Sequence, residues 1–435
     1  MRNRLLILKN YIKYKYILKF KTRESLEKYQ DKKIKKHIKF IKKNSNFYKN
    51  LYGGKKEFSE LPIIDKKLMM DNFDTFNTVG IIKEDALKVA TFSEKTRKFE
   101  GKIKGIDVGL SSGTSGHRGI FLVAEDEKNQ WAGAILAKIL PQNILKKTKI
   151  AFFLRANNNL YESVNTKKIR LQYFDMMKPI DEHIDTLVDL NPNLLIAPPQ
   201  VLIELSRKNM KKEILINPTK IVSVAEVLED RDKKLIQDSF KLDVIHQVYQ
   251  CTEGFIAQTC KYGTLHVNED ILKLEKEPID ENRFIPIITD FTRKSQPIVR
   301  YRLNDILVEK KEPCRCGSIY LSLEKVEGRE DDCFFFRTTK SKELVTIYPD
   351  FIRRTLLYID DIKEFRVIQE SENEILIELD NITEDITRDI EKEFKELSIK
   401  MDFITPSIKY KKFSAEKGKK LRRIQNKFIM KGVNR

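Results

Sequence analysis

A chain of 435 residues, 41% of them hydrophobic, is long enough for two or three globular domains around sizeable cores, which excludes a disordered or fibrous protein. Lys and Arg number 83 against 64 Asp and Glu, and the net charge of +19 favours anionic partners: nucleotides, acidic proteins, nucleic acid or lipid headgroups. Five cysteines, an odd number behind no secretion signal, argue against a disulfide framework and for the cytoplasm, and no stretch reaches the length of a membrane span.

From Met1 to Tyr52 the chain reads as a basic amphipathic helical arm, assigned to residues 1–60, with Leu5, Leu8 and Ile12 and then Ile34, Ile38 and Ile41 at helical spacing. The apolar run at Leu5 to Leu8 is too short for a signal peptide. These positions are expected to pack on the main domain, with peripheral membrane contact through the arm as the alternative. Glu60-Leu61-Pro62-Ile63-Ile64-Asp65-Lys66 predicts a turn into a helix capped by Asp65. A Ser/Gly/Thr loop at 110–119 lies between strand-like runs, and a helix is predicted from Glu125 to Leu140 with Trp131, Ile135 and Ile139 on one face.

Between residues 148 and 250, runs at Ile150 to Leu154, Leu194 to Ala197, Ile221 to Val224 and Val244 to Tyr249 alternate with helical patterns. That alternation is the signature of a parallel sheet with crossover helices. Residues 263–325 turn β-rich, at Leu265 to Val267, Ile285 to Thr289, Ile298 to Tyr301 and Ile319 to Leu323, and predict a β subdomain within a main domain spanning 61–330. From 331 to 435 a helix near Asp350 to Tyr358, strands at Phe365 to Gln369 and Ile375 to Glu378, a helix from Thr383 to Leu397 and a strand at Ile408 to Phe413 predict a small lid. The expected fold class is α/β: a large N-terminal domain with doubly wound mixed and parallel sheets, followed by a small mobile C-terminal α/β lid.

The chemistry concentrates in a few segments. Ser111-Ser112-Gly113-Thr114-Ser115-Gly116 interleaves glycines with hydroxyls, so its backbone can fold into a nest of N–H groups suited to a polyphosphate. It is not the classical nucleoside-triphosphate loop, which needs Gly-Lys-Ser/Thr where this chain has Gly116-His117-Arg118. Ligands of open parallel sheets bind beyond the carboxyl ends of strands, where Ala225-Glu226 and Tyr249 to Glu253 fall. Cys260, His266, Cys314 and Cys316 offer a Cys₃His set for a structural zinc, with buried reduced thiols as the alternative. Arg155, Asn157, Asn158, Asn159, Tyr161 and Ala197-Pro198-Pro199 follow predicted strands and are candidates to line a substrate cavity. No aromatic-and-basic RNA motif or finger spacing appears.

In their order along the chain these segments resemble the motifs of the adenylate-forming enzymes, the superfamily of acyl-CoA synthetases, luciferases and peptide-synthetase adenylation domains. Ser111 to Gly116 resembles their Ser/Thr/Gly-rich loop, and Val248-Tyr249-Gln250-Cys251-Thr252-Glu253-Gly254 their Tyr-Gly-x-Thr-Glu segment. Arg300-Tyr301-Arg302-Leu303-Asn304-Asp305 resembles the segment ending in the ribose-binding Asp, Gly328-Arg329-Glu330-Asp331-Asp332 the hinge, and Gly418-Lys419 the C-terminal lysine motif. The branch most resembled is the phenylacetate–CoA ligase-like one, which includes deazaflavin-coenzyme adenylylating enzymes.

The resemblance implies that Ser111, Ser112, Gly113, Thr114, Ser115 and Gly116 hold the β- and γ-phosphates of ATP, that Thr252 donates to the α-phosphate, and that Glu253 holds Mg²⁺. It places Tyr249 against adenine, Ala225 and Glu226 on the other edge of the base, and Asp305 on the ribose hydroxyls. Arg329 then contacts ribose and phosphate, Asp331 marks the hinge, and Lys419 bridges the substrate carboxylate and the nucleotide. The implied reaction converts a small carboxylic acid, of aromatic or unsaturated type, to an acyl adenylate and pyrophosphate, then passes the acyl group to the thiol of CoA or of a carrier protein. After Asp332 the sequence reads Cys333-Phe334-Phe335-Phe336-Arg337, departing from the apolar-x-x-x-Gly continuation of the family. The acceptor therefore stays open, direct transfer of AMP to a phenolic or deazaflavin-type cofactor included. A non-catalytic basic protein binding nucleic acid or membrane is the alternative of another class, and the oligomeric state is left open.

Overall fold

A computed structural model describes residues 2–54, 57–98, 101–111, 119–154, 165–357, 359, 361–414 and 422–428. Two compact units divide the chain: Met1–Leu303 with Val308–Lys325, and Asn304–Leu307 with Val326–Arg435.

The first unit is built on a mixed sheet. Its parallel half runs Ile169–Asp175, Thr148–Leu154, Leu194–Ala197, Lys220–Val224 and Ile245–Cys251, in that spatial order. These are the predicted strands, each within a few residues, plus Ile169–Asp175. Ile150, Ala151, Phe152 and Phe153 are buried in succession, as a strand covered on both faces requires. One face carries a core that includes Phe153 and Phe174, stacked at 4.5 Å between ring centroids; the other packs against the helix Glu125–Ile139. Gly254–Thr259 then turns back antiparallel on Ile245–Cys251, and Leu265–Val267 follows beside it. Leu272–Pro278, Arg283–Asp290 and Ile298–Arg302 are antiparallel strands of the same sheet, so the β-rich stretch extends the main sheet instead of forming a sheet of its own.

The N-terminal arm is helical, over Arg2–Ile12, a π-helical turn at Lys13–Ile17, then Arg23–Asn44 and Asn46–Tyr52. Its packing corrects part of the expectation: Ile34 and Ile41 are buried as predicted, but in the first helix Leu5, Leu8 and Ile12 are exposed, and Ile7, Tyr11 and, just beyond it, Tyr14 are buried. The reason is the neighbouring helix, Glu125–Ile139, which offers Gly133 at the crossing. A Cβ there would fall 2.5 Å from Asn10 Cβ and 2.7 Å from the Ile7 carbonyl, so the two backbones approach as only glycine permits. Burying Ile7, Tyr11 and Tyr14 contributes on the order of 2 kcal/mol each.

The second unit carries a four-stranded sheet in the order Ser407–Lys412, Glu374–Leu379, Phe365–Ser371, Ile424–Asn426. The helix Glu384–Lys400 is capped by the Thr383 hydroxyl, which accepts from the Ile386 N–H at 3.3 Å. Its core includes Phe336 stacked on Phe403 at 4.8 Å. The last strand was not expected, because it follows a charge run that by itself reads as a solvated tail.

Candidate functional site

The Ser/Gly loop rises from a hairpin. Ile106–Leu110 pairs antiparallel with Ile120–Val123, and Ser111 closes the base: its N–H donates to the Gly119 carbonyl at 2.7 Å, and its hydroxyl accepts from the Gly119 N–H at 2.7 Å. Ser112, Gly113, Thr114, Ser115 and Gly116 lie outside the described residues. Lys66 reaches this base, its Cε 3.0 Å from where a Cβ on Gly119 would sit.

The strand that leaves the loop is tied to the Thr252-Glu253 turn. Arg293 donates from Nη2 to the Leu122 carbonyl at 3.1 Å and from Nη1 to the Thr252 carbonyl at 3.0 Å. Two segments 130 residues apart in sequence are thereby held by one planar guanidinium, whose fork suits such a bridge. The residues after Arg293 complete the lock. Glu127 accepts from the backbone N–H groups of Lys294 and Ser295, and from the Ser295 hydroxyl at 2.5 Å. Gln296 accepts from the Leu122 N–H and donates to the Ile120 carbonyl, each at 2.9 Å. Sequence reasoning missed Arg293, Glu127, Ser295 and Gln296, since no local pattern marks them.

On the turn itself, Thr252 donates its hydroxyl to Glu253 Oε2 at 2.9 Å, and the Tyr301 hydroxyl donates to Glu253 Oε1 at 3.4 Å. Burial and the adjacent Glu253 charge hold the Tyr301 phenol well above its ordinary pKa, so it stays a donor. Gly254 follows because Asp290 packs against it: a Cβ would sit 3.1 Å from Asp290 Oδ2. Full burial pushes the Asp290 carboxyl up to about 6, against hydrogen bonds from Thr292 and the Arg293 charge.

Ala225 and Glu226 fall at the carboxyl end of Lys220–Val224, as expected from the topology. Ala225 has φ of 72°, and the Glu226 N–H donates to the Val224 carbonyl at 2.9 Å. This is a γ-turn on a non-glycine residue, a strained geometry that concentrates at functional sites. Gln200 donates to Glu226 Oε1 at 3.0 Å. Below Ala225 opens a cavity of about 200 Å³ between the helix Glu125–Ile139 and the sheet, lined by Trp131, Ile135, Ile139, Phe152, Ile196, Val222, Val248 and Gln250 among others. The predicted helical face of Trp131, Ile135 and Ile139 is one of its walls. Arg155, Asn157, Asn158, Asn159 and Tyr161 lie outside the described residues.

Cys260, His266, Cys314 and Cys316 come together in the first unit, every ligand atom within 4.8 Å of the others. Cys260 and Cys314 sulfurs are 3.7 Å apart, and Cys316 Sγ is 3.4 Å from His266 Nε2. Zinc bound at about 2.3 Å by sulfur sets tetrahedral edges of about 3.8 Å, so the four residues fit that ion. The second ring nitrogen, Nδ1, faces the Tyr320 carbonyl at 3.3 Å, leaving Nε2 for a metal. Backbone N–H groups of Tyr262 and Ser318 point at Cys260 and Cys316 sulfurs, each at 3.4 Å.

In the second unit Arg329 Nε lies 3.8 Å from Asp305 Oδ1, and Asn304 donates to Asp331 Oδ2 at 2.7 Å. The residues assigned to ribose and hinge are therefore neighbours. Asp332, buried and raised by that burial, pairs with Arg422. Lys419 lies outside the described residues, between the strands Ser407–Lys412 and Ile424–Asn426.

No family model matches this chain. It is similar to Protein CapK of Staphylococcus aureus, 24% identical over 356 residues, 77% of this chain and 74% of that protein. A phenylacetate-coenzyme A ligase of Thermus thermophilus is 28% identical over 87 residues, 20% of this chain and 18% of that ligase. Among solved structures, 2-hydroxyisobutyryl-CoA ligase in the postadenylation state, in complex with R3-HIB-AMP, superposes with a TM-score of 0.66 at 14% identity, covering 93% of this chain and 90% of that one. The anthranilate CoA ligase AuaEII in complex with anthranoyl-AMP gives 0.53 at 15% identity, over 72% of this chain and 65% of that one. The chain has the fold of the adenylate-forming ligases.

Proposed function

We propose that this protein is an ATP-dependent, AMP-forming ligase that activates a carboxylic acid as its acyl adenylate and then passes the acyl group to a thiol. The observation that carries the reading is the Arg293 bridge, which sets the Thr252-Glu253 turn beside the strand leaving the Ser/Gly loop. An apolar cavity opens at the adjacent strand ends. A phosphate loop, a carboxylate for a hard cation and a pocket for an acyl chain are what such a reaction needs in one place.

In the adenylation step a carboxylate oxygen attacks the α-phosphorus, the new P–O bond forms, and the bond to pyrophosphate breaks. Glu253, its two oxygens already oriented by Thr252 and Tyr301, fits Mg²⁺, which takes one or two carboxylates together with phosphate oxygens and would neutralise the leaving pyrophosphate. The Ser111 loop would hold the β- and γ-phosphates, Tyr249, Ala225 and Glu226 the base, and Asp305 with Arg329 the ribose. Lys419 would bridge the two anions that must meet. In the second step a thiolate attacks the acyl carbon and AMP departs; CoA is the acceptor this reading favours, and Asp331 marks the hinge for the change between steps.

The cavity points to an acid whose body is apolar. Its described lining is aliphatic and aromatic apart from Gln250 and the Trp131 indole N–H, and a volume of about 200 Å³ is somewhat more than the roughly 150 Å³ that holds benzene. An aromatic acid with a short tether or a chain of several carbons suits it. Zinc at Cys260, His266, Cys314 and Cys316 would be structural, because all four positions come from the protein. The test is pyrophosphate exchange into ATP: it is expected to require an added apolar acid and to vanish in Glu253→Ala. Exchange indifferent to both would overturn the reading.

A further inference from the structure

We infer that the outward face of the N-terminal helix is a docking surface for an anionic lipid membrane. The helix Arg2–Ile12 and the turn Lys13–Ile17 that follows it are anchored by one side only, through Ile7, Tyr11 and Tyr14. Tyr11 accepts from the Ile144 N–H at 3.2 Å and Tyr14 from Gln130 at 2.9 Å. A second apolar stripe, Leu5, Leu8, Ile12 and Tyr16, recurs at spacings of three and four on a different side and is 60, 40, 41 and 57% exposed. Ile17 continues it at 67%. Elsewhere exposed large apolar residues such as Ile63, Phe92 and Leu145 stand apart in sequence, as is ordinary for a protein surface; here five fall within thirteen residues.

Charge identifies the occupant. Residues 1–50 hold seventeen Lys and Arg against three Asp and Glu, so +14 of the chain's +19 sits in its first 50 residues. The first acidic residue is Glu24. Arg4, Lys9, Lys19 and Lys21 are exposed around the stripe, and Lys32, Lys35, Lys36 and Lys39 are exposed on the next helix. An apolar stripe edged by lysines, on a helix that carries no acidic residue of its own and whose Asn3 donates to Glu125 of the neighbouring helix, is the pattern that lies in the headgroup layer of an anionic bilayer. Nucleic acid would use the lysines and leave the aliphatic stripe wet. A second copy would bring two strongly positive arms together.

The experiment is flotation of the full-length protein with vesicles of phosphatidylcholine alone or with phosphatidylglycerol added. Binding is expected only to the anionic vesicles, and Leu8→Glu/Ile12→Glu is expected to lower the bound fraction about ten-fold without moving the thermal unfolding midpoint. As a second readout, Ile12→Trp should shift its emission to the blue on anionic vesicles. No flotation with either vesicle, flotation unchanged in Leu8→Glu/Ile12→Glu, or binding to an RNA homopolymer in place of vesicles would each overturn the inference.

Discussion

Arg293 donates to the Thr252 carbonyl at 3.0 Å, and with its other terminal nitrogen it holds the strand leaving the Ser/Gly loop. The guanidinium thus ties the turn that carries Glu253 to the strand Ile120–Val123. Arg293→Met leaves two carbonyls without their donor. Since a displacement of about 1 Å at a reacting centre costs about 10²-fold, pyrophosphate exchange is expected to fall by about that factor. Arg293→Lys keeps the charge but lacks the fork, and is expected to recover only part of the loss. Exchange at the original rate in Arg293→Met would show that the bridge does not position the turn.

Glu253→Gln keeps the shape and the partners, Thr252 and Tyr301, while removing the charge for a hard cation. The expected signature is a much steeper requirement for Mg²⁺ in exchange assays, with the unfolding midpoint unchanged. Unaltered Mg²⁺ dependence would remove Glu253 from the metal site.

Ile196→Phe puts a bulkier side chain into the wall of a cavity of about 200 Å³ and narrows it. One methylene in such a pocket is worth about 1–3 kcal/mol, so larger acids are expected to lose exchange activity while the smallest retain it. A uniform loss across acid sizes would place the acyl group elsewhere.

Metal analysis is expected to find about one zinc per chain, and Cys314→Ser to lower both that content and the unfolding midpoint. A metal-free protein of full stability would leave the four residues as reduced thiols and a histidine.

Acid sensitivity should track His37. Burial, then the nearby Lys294 charge, holds its pKa down to about 4, below the ordinary 6.5. A depressed histidine contributes stability that is fully present above the unfolded value and lost as pH falls through the folded one, here between pH 6.5 and 4. The shift corresponds to about 3 kcal/mol. His37→Leu is expected to flatten the stability curve across that window; an unchanged slope would contradict the assignment. His246, held down to about 4 mainly by burial, adds to the same limb.

The parallel strands were legible because buried β-branched and aromatic runs such as Ile150 to Phe153 leave few other structures open. The outlook of the first helix was not. Leu5, Leu8 and Ile12 and the set Ile7, Tyr11 and Tyr14 are both at helical spacing, and only the partner, Gly133 on another helix, decides which is buried. Cys260, His266, Cys314 and Cys316 were legible as a set because their side chains have one common chemistry. Arg293 was not, because its value lies in reaching carbonyls 41 and 171 residues away. Asp305, Arg329 and Asp331, read from motifs, do sit together, whereas Lys419 and the loop from Ser112 to Gly116 fall outside the described residues.

In the proposed reaction a carboxylate oxygen becomes bonded to the α-phosphorus of ATP. An apolar acid labelled with ¹⁸O in its carboxylate, incubated with protein, MgATP and CoA, is expected to yield AMP carrying one labelled oxygen. Unlabelled AMP, or AMP retained on an organic acceptor, would contradict it.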